Sequence, residues 1–414
     1  MKLVYGIKDK PKFPQLLIFA FQQVLAILAA TIAVPTIIGN GMSQSAALFG
    51  AGIGTLVYQL FTKFKSPVYL GSSFAFLGSM FAAFGGAVSS SAGHAGLIIG
   101  AVFAGLVYVV IAIVIKLVGV KWINKLMPAA VIGPTVAIIG LSLAGNAIGD
   151  LTKGKVMVES VAQIIDNGQI VDQTSMVSGC SPYIALLCGL ITLFAVMVFS
   201  VYGKKMMKLI PFVLGILVGY CAAAIFTVIG IYTDNVALQI IDFSVFKGLD
   251  VFAIPDFTFL KAVEGIKEID GSFIATLAVA YVPVAFVVFA EHIADHKNLS
   301  TIIGSDMLEE PGLHRTLLGD GIGSMAGAVF GGCPNTTYGE SVGCVAITRN
   351  ASVITITCAA VMCIVISFFG PFVTFLSSIP NCVMGGVCVA LYGFIAVSVL
   401  FCSLSLLIRC CSDW

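Results

Sequence analysis

Long apolar runs alternate with short polar breaks along almost the whole chain. A bilayer is crossed by roughly 20 apolar residues in helical form. Runs of about that length occur near residues 15–38, 45–62, 67–84, 96–118, 127–148, 183–202, 209–231, 273–293, 316–332, 334–348, 353–376 and 380–402. The pattern predicts an all-α polytopic membrane protein. The ninth and tenth runs are too short to cross alone. They make sense together if the polar stretch where they meet, Gly331–Arg349 (GGCPNTTYGESVGCVAITR), is enclosed by protein. Pro334 removes a backbone donor and biases Cys333 toward an extended conformation. Thr336, Thr337 and Gly339 read as a break from which a helix starts, with Glu340 in its first turn. Non-helical backbone at membrane depth is tolerated only where protein buries it or where it lines a cavity. A helix that starts there points its N–H groups and positive dipole end into that cavity.

The same arrangement occurs earlier in the chain. Gly50-Ala-Gly-Ile-Gly54 in span two matches Gly319-Asp-Gly-Ile-Gly323 in span nine. Each precedes a proline that opens an irregular stretch: Pro67-Val-Tyr-Leu-Gly71-Ser-Ser in span three and Pro334-Asn-Thr-Thr-Tyr-Gly339-Glu-Ser in span ten. Pro128-Ala-Ala-Val-Ile-Gly133 and Pro380-Asn-Cys-Val-Met-Gly385 pair spans five and twelve. A repeat of seven spans, an odd number, inverts its second copy. Inverted repeats with paired broken helices are the architecture of secondary transporters, with the site at the midplane. The glycines at 319, 323, 327 and 331 recur at every fourth position, a stripe that lets helices approach closely. They are expected to set the backbone behind the site and to touch no ligand.

Composition agrees with a membrane location: 59% of residues are hydrophobic and 10% charged, with a mean hydropathy of +1.07. The lysines and arginines then orient the spans. Lys2, Lys8, Lys10 and Lys12 precede span one, Lys63 and Lys65 follow span two, and Lys116, Lys121 and Lys125 follow span four. Lys204, Lys205 and Lys208 follow span six, Lys297 and Arg315 follow span eight, and Arg349 follows span ten. This alternation places the N-terminus in the cytoplasm. Met1–Pro14 has no apolar core, so no cleavable signal is expected. The 12 cysteines are mostly scattered singly, with no C-x-x-C pair, so neither a disulfide framework nor a metal site is indicated. No cofactor and no nucleic-acid partner is expected.

Ionisable groups at membrane depth are rare and mark functional sites. Glu340 is one; the alternative for it is a capping box, Thr337-x-x-Glu340. Glu291, in Ala290-Glu-His-Ile-Ala-Asp-His296, follows an unbroken apolar run. Asp295 lies one turn further on the same helix face, and His296 is near enough to tune a proton site. Asp295, His296 and Lys297 also suit an interfacial cluster that ends span eight. His292 reads as structural. A pair of carboxylates without a balancing base suits coupling to a proton gradient, and no oxygen cage for sodium is evident. Span three offers backbone donors, the hydroxyls of Ser72 and Ser73, and the ring of Phe74; Tyr338 and Tyr392 are further aromatic candidates. Carboxylate acceptors, backbone N–H donors and aromatic faces together fit a flat heterocycle with alternating N–H and C=O groups. A nucleobase such as uracil is the candidate substrate. An anion exchanger or channel built on the same core is the rival reading; it would want a cation where Glu340 stands. A membrane-embedded enzyme would want a metal set or a nucleophile–base pair, and neither is spaced for here.

At these residues the sequence resembles the nucleobase:cation symporter family, most nearly its bacterial uracil-transporting members. The resemblance runs from about residue 11 to 398 and is most specific at Tyr69-Leu-Gly-Ser-Ser-Phe-Ala-Phe76, Ala290-Glu-His-Ile293 and Asn335-Thr-Thr-Tyr-Gly-Glu340. It implies fourteen spans in two inverted sevens, of which about twelve are present. It implies a core domain from 1–120 and 273–378, and a gate domain from 121–272 with a partial complement at 379–414. It implies that Glu291, Glu340 and the amides of Phe74 and Gly339 bind a pyrimidine beside Tyr392, that the transported cation is a proton, and that the protein sits in the cell membrane, with a homodimer left open. Asp295 stands where some members have histidine. After Ser398 the chain runs Val-Leu-Phe-Cys-Ser-Leu-Ser-Leu-Leu-Ile-Arg-Cys-Cys-Ser-Asp-Trp, unlike the family. Spans thirteen and fourteen have no counterpart, which reads as a C-terminal truncation and makes a non-transporting form a further alternative.

Overall fold

The computed structural model describes residues 3–119, 144–166, 169–204, 207 and 210–393. In chain order the elements are α1 (Phe13–Ile38), α2 (Gln44–Phe61), β1 (Leu70–Ser72), α3 (Leu77–Gly85), α4 (Ser90–Val118), α5 (Ala144–Asp150), β2 (Met157–Asp166), β3 (Gln169–Ser178), α6 (Pro182–Tyr202), α7 (Pro211–Tyr232), α8 (Thr258–Gly265), α9 (Gly271–Ile303), α10 (Leu313–Gly331), β4 (Asn335–Thr337), α11 (Gly339–Thr348), α12 (Val353–Ile366) and α13 (Gly370–Ser378). Among the described residues, α1, α4, α6, α7 and α9 are each long and apolar enough to cross a bilayer. The protein is therefore a multi-pass, mainly helical membrane protein. Most of the fifth expected span, and everything after residue 393, lie outside the described residues.

The chain divides into two compact units. One holds the described residues of 1–141 and 250–373, the other those of 142–249 and 374–393. In the first unit α10 lies between α2 and α4, and glycine makes both contacts. A methyl on Gly54 would sit 2.8 Å from the Gly323 carbonyl oxygen, and one on Gly323 would sit 2.8 Å from that of Gly54. On the other face Gly105 of α4 and Gly321 stand in the same relation, at 2.7 and 2.9 Å. These backbones touch because neither side carries a Cβ, which is the packing that small-residue stripes permit between membrane helices. The second unit is built on α6 and α7, whose contact uses Gly215 against Val196 and Gly219 against Thr192. Within it the Cys382 amide donates to the Lys153 carbonyl at 2.9 Å.

Three elements differ from the sequence expectation. Span eight does not end at 293: α9 runs 33 residues from an Asp270 cap to Gly304, which sits in the left-handed region at φ 78°. Asp295 and His296 are paired inside the protein, so they do not terminate the helix as an interfacial cluster would. Span eleven is not continuous to 376. α12 stops at Ile366, and α13 restarts at Gly370 with Pro371 in its first turn. The Gly370 amide donates to Val251 and the Ala253 amide to Phe368, so a crossing segment holds the break open. The loop expected at 149–182 contains a ten-rung antiparallel hairpin, β2 with β3, from Met157↔Ser178 to Asp166↔Gln169. In the sequence Asn167-Gly168, a dipeptide that signals a hairpin, lies between its strands; those two residues lie outside the described ones.

Candidate substrate and proton site

Two breaks in helical structure meet in the first unit. β1 and β4 pair antiparallel, with Leu70↔Thr337, Gly71↔Thr336 and Ser72↔Asn335 in register. The Ser73 amide extends the ladder to the Pro334 carbonyl at 2.9 Å. Both strands are wholly buried, so every backbone group needs a partner. Thr55 of α2 supplies a hydroxyl that accepts from the Leu70 amide at 2.9 Å. Asn335 donates to the Gly50 carbonyl at 2.9 Å, reaching into a gap left by Gly54 and Gly327. Ser341 of α11 accepts from the Tyr69 amide at 3.0 Å. Gly71 is required because the Tyr338 ring occupies the space of a Cβ.

Each strand runs into a helix. β1 leads through a 3₁₀ turn at Phe74–Phe76 into α3, and β4 leads through Tyr338 into α11. Neither start has a side-chain cap. At the start of α11, first-turn amides that no side chain caps can serve as donors. The capping-box alternative for Thr337 and Glu340 is therefore not what the structure holds: Tyr338 occupies the cap position, and the Thr337 hydroxyl donates instead to Asp295 Oδ2 at 3.0 Å.

α9 brings the other acids to this end of α11. A methyl on Gly339 would lie 3.6 Å from Asp295 Oδ1. Glu291 stands one turn before Asp295 on α9, and Glu340 follows Gly339 in the first turn of α11. Gly339 is exposed and Glu291, Asp295 and Glu340 are half-buried, although the strands beneath them are closed to solvent. The structure thus gathers Glu291, Asp295, Gly339 and Glu340 on one accessible face above a buried ladder. Ser73 and Phe74 lie beside that ladder, 2% and 8% exposed. Tyr338 is also buried, and its hydroxyl donates to the Ser72 carbonyl. Tyr392 is buried in the second unit.

His296 points away from the acids' accessible face and is fully buried. Its Nδ1 lies 2.8 Å from the His292 carbonyl oxygen and its Nε2 lies 2.9 Å from the Tyr58 hydroxyl. The His292 ring stacks on it at 4.1 Å and pairs with Asp320, Nδ1 to Oδ2 at 2.7 Å. Asp320 is completely buried, and its Oδ1 has no hydrogen-bond partner among the described residues. Sequence reasoning passed over Asp320 because it sits inside the glycine stripe. The signal was available: a carboxylate at membrane depth is as informative there as at Glu291.

The family model described as "Permease family" matches residues 14–403. The chain is 37% identical over 397 residues to the uracil permease of Bacillus caldolyticus, covering 96% of this chain and 81% of that protein. It is 34% identical over 397 residues to the uracil permease of Bacillus subtilis (strain 168), covering 96% and 82%. The fold is similar to that of the transmembrane domain of a cyanobacterium bicarbonate transporter, with a TM-score of 0.64 at 15% identity over 98% of this chain and 97% of that one. At that identity the likeness is one of fold alone.

Proposed function

This chain belongs to the permease family, and from that premise we propose that it imports a nucleobase, uracil before others, by proton symport. The observation that carries the reading is the acid face at the start of α11. Two half-buried carboxylates, Glu291 and Glu340, stand beside uncapped helix amides. Uracil presents N–H and C=O groups alternately around one ring. Glu340 accepts from ring N–H groups, and the amides of Gly339 and Phe74 donate to ring carbonyls. Glu291 is the second acceptor and carries the coupled proton, with Asp295 and His296 as its relays. Phe74, Tyr338 and Ser73 shape the pocket. The uracil permeases named above, alike over most of their length, support this choice of substrate.

In this reading β1 and β4 are equivalent segments of two inverted halves, each breaking one span at mid-membrane. Residues 1–120 and 273–378 form the substrate-carrying core, and 121–272 with 379–414 form the gate. The N-terminus is cytoplasmic and the membrane is the cell membrane; a homodimer is compatible with this arrangement. The full chain, reconstituted in proteoliposomes, is tested for labelled uracil uptake with an imposed inward proton gradient. Unlabelled uracil, xanthine and sulfate serve as competitors. Uptake that uracil competes away, and that collapses with the gradient, is expected. Competition by sulfate and not by uracil would overturn the substrate assignment.

A further inference from the structure

The end of α2 and the start of α10 border a cleft of about 160 Å³, lined by Thr62, Lys63, Lys65, Glu310, Pro311 and Arg315. All six belong to the first unit. Pockets for drug-sized ligands begin at about 300 Å³, so this one has room for a single small group. Three cations and one carboxylate line it. Lys65 pairs with Glu310, Nζ to Oε1 at 2.7 Å. That hydrogen bond and the lysine's charge hold the Glu310 carboxyl below the usual carboxylate range, so it is ionised and offsets Lys65. Among the described residues Lys63 and Arg315 make no ion pair. Asp306 and Glu309, the other acids of the same loop, do not line the cleft, and Asp306 instead accepts from the Leu308 amide at 2.8 Å. Two positive charges in the cleft are left uncompensated.

The backbone around the cleft suits an anion as well. α2 ends in a turn whose Lys63 and Phe64 both have positive φ, 55° and 53°, a conformation that residues with a Cβ rarely adopt. The turn brings the amides of Thr62, Lys63 and Phe64 onto the carbonyls of Tyr58, Leu60 and Gln59, at 3.0, 3.2 and 2.8 Å. Those carbonyls, at the negative end of α2, are thereby occupied. α10 starts on the other side without a side-chain cap, so its positive pole borders the same space. The rim is apolar: Leu60, Phe61 and Phe64 are all exposed. Exposed apolar surface beside a polar patch marks contact with lipid or a partner.

We propose that this cleft binds the phosphate of an anionic membrane lipid, with Lys63 and Arg315 as its cations and the acyl chains against Leu60, Phe61 and Phe64. A free phosphate satisfies the charges and leaves the apolar rim bare; a lipid satisfies both. Arg315 is half-buried, and its planar fork matches phosphate oxygens. Lys63 is exposed and supplies a point charge from the opposite helix end. Basic pockets between membrane helices take lipid headgroups on the cytoplasmic side, and the orientation proposed above puts the cleft there. The bound lipid ties together the ends of α2 and α10, the two helices in glycine contact behind the ladder. The inference holds whichever substrate the protein carries.

The purified full chain in a neutral detergent is titrated with phosphatidylglycerol, phosphatidylcholine or inorganic phosphate, and its melting temperature is read. Phosphatidylglycerol is expected to give a saturable rise of a few degrees, because a ligand bound only by the folded state stabilises it. The other two are expected to give none. In the double variant Lys63→Gln with Arg315→Gln, the rise above the variant's own lipid-free value should fall by at least about two-thirds. Lys63→Arg with Arg315→Lys keeps both charges and should keep the rise. Lys247→Gln with Lys267→Gln removes the same charge at exposed lysines outside the cleft and should also keep it. No rise in the wild type overturns the site, and so does an undiminished rise in the Lys63 and Arg315 glutamine variant. An equal loss in the Lys247 and Lys267 variant overturns it too, because net charge alone then accounts for the effect. An equal rise with phosphatidylcholine or inorganic phosphate overturns the assignment to an anionic lipid.

Discussion

Glu340 and Glu291 are both carboxylates at one face, yet their neighbours assign them different expected roles. Glu340 belongs to the first turn of α11, where its oxygens and the adjacent amides offer acceptor and donor side by side. Glu340→Gln keeps the shape and replaces an acceptor with a donor. The buried mismatch should cost about 1–3 kcal/mol, a loss in uracil affinity of roughly 5- to 150-fold at 1.4 kcal/mol per tenfold. Isothermal titration of the purified protein measures it, and an unchanged affinity would remove Glu340 from the substrate site. Glu291 belongs to another helix, α9, one turn before Asp295. Glu291→Gln cannot ionise, so uptake should lose its dependence on external pH while equal-pH exchange survives. A variant whose uptake still climbs steeply with the proton gradient would move the coupling to Asp295.

The decisive element is the glycine contact around α10. It lets α2 and α4 approach α10 at backbone distance, and it leaves the gap into which Asn335 reaches to hold β4. Gly54→Val would force a branched side chain against the Gly323 carbonyl and the Asn335 amide, where a single Cβ is already at 2.8 and 2.7 Å. Overpacking of this kind costs about 1–3 kcal/mol, and here it should also displace the ladder. A lower melting temperature in detergent, together with loss of uracil binding, is the expected result. Gly78→Ala is the control, because a methyl there meets nothing within 4 Å. Its melting temperature should hold or rise, since glycine in a helix interior is about 1 kcal/mol less favourable than alanine. If both variants melt alike, close approach is not what the stripe provides.

For the molecule as a whole, the proposed orientation rests on the basic loops. An epitope placed before residue 3 should react with antibody only after cells are permeabilised. One inserted after Asp234, in the turn that follows α7, should react in intact cells. The opposite pattern would invert the topology.

What the sequence determined alone was the class of protein and the sites of the two helix breaks. Each has a one-dimensional cause. Bilayer thickness demands long apolar runs, and Pro67 and Pro334 stand where helix must fail. The hairpin at 157–178 was equally legible from the Asn-Gly dipeptide between its strands, but a long loop between spans drew no such reading. The tertiary structure alone decided which polar residues became internal. Asp295 and His296 read as the end of a span, because a boundary cluster and a buried network are identical when written as letters. Thr337 beside Asp295, and Tyr58 with Ser66 beside His296, turned them inward. Tyr58 lies 238 positions from His296 in the chain. No local pattern links residues so far apart; only the packing of α2 against α10 and α9, made possible by glycine, brings that hydroxyl to the ring.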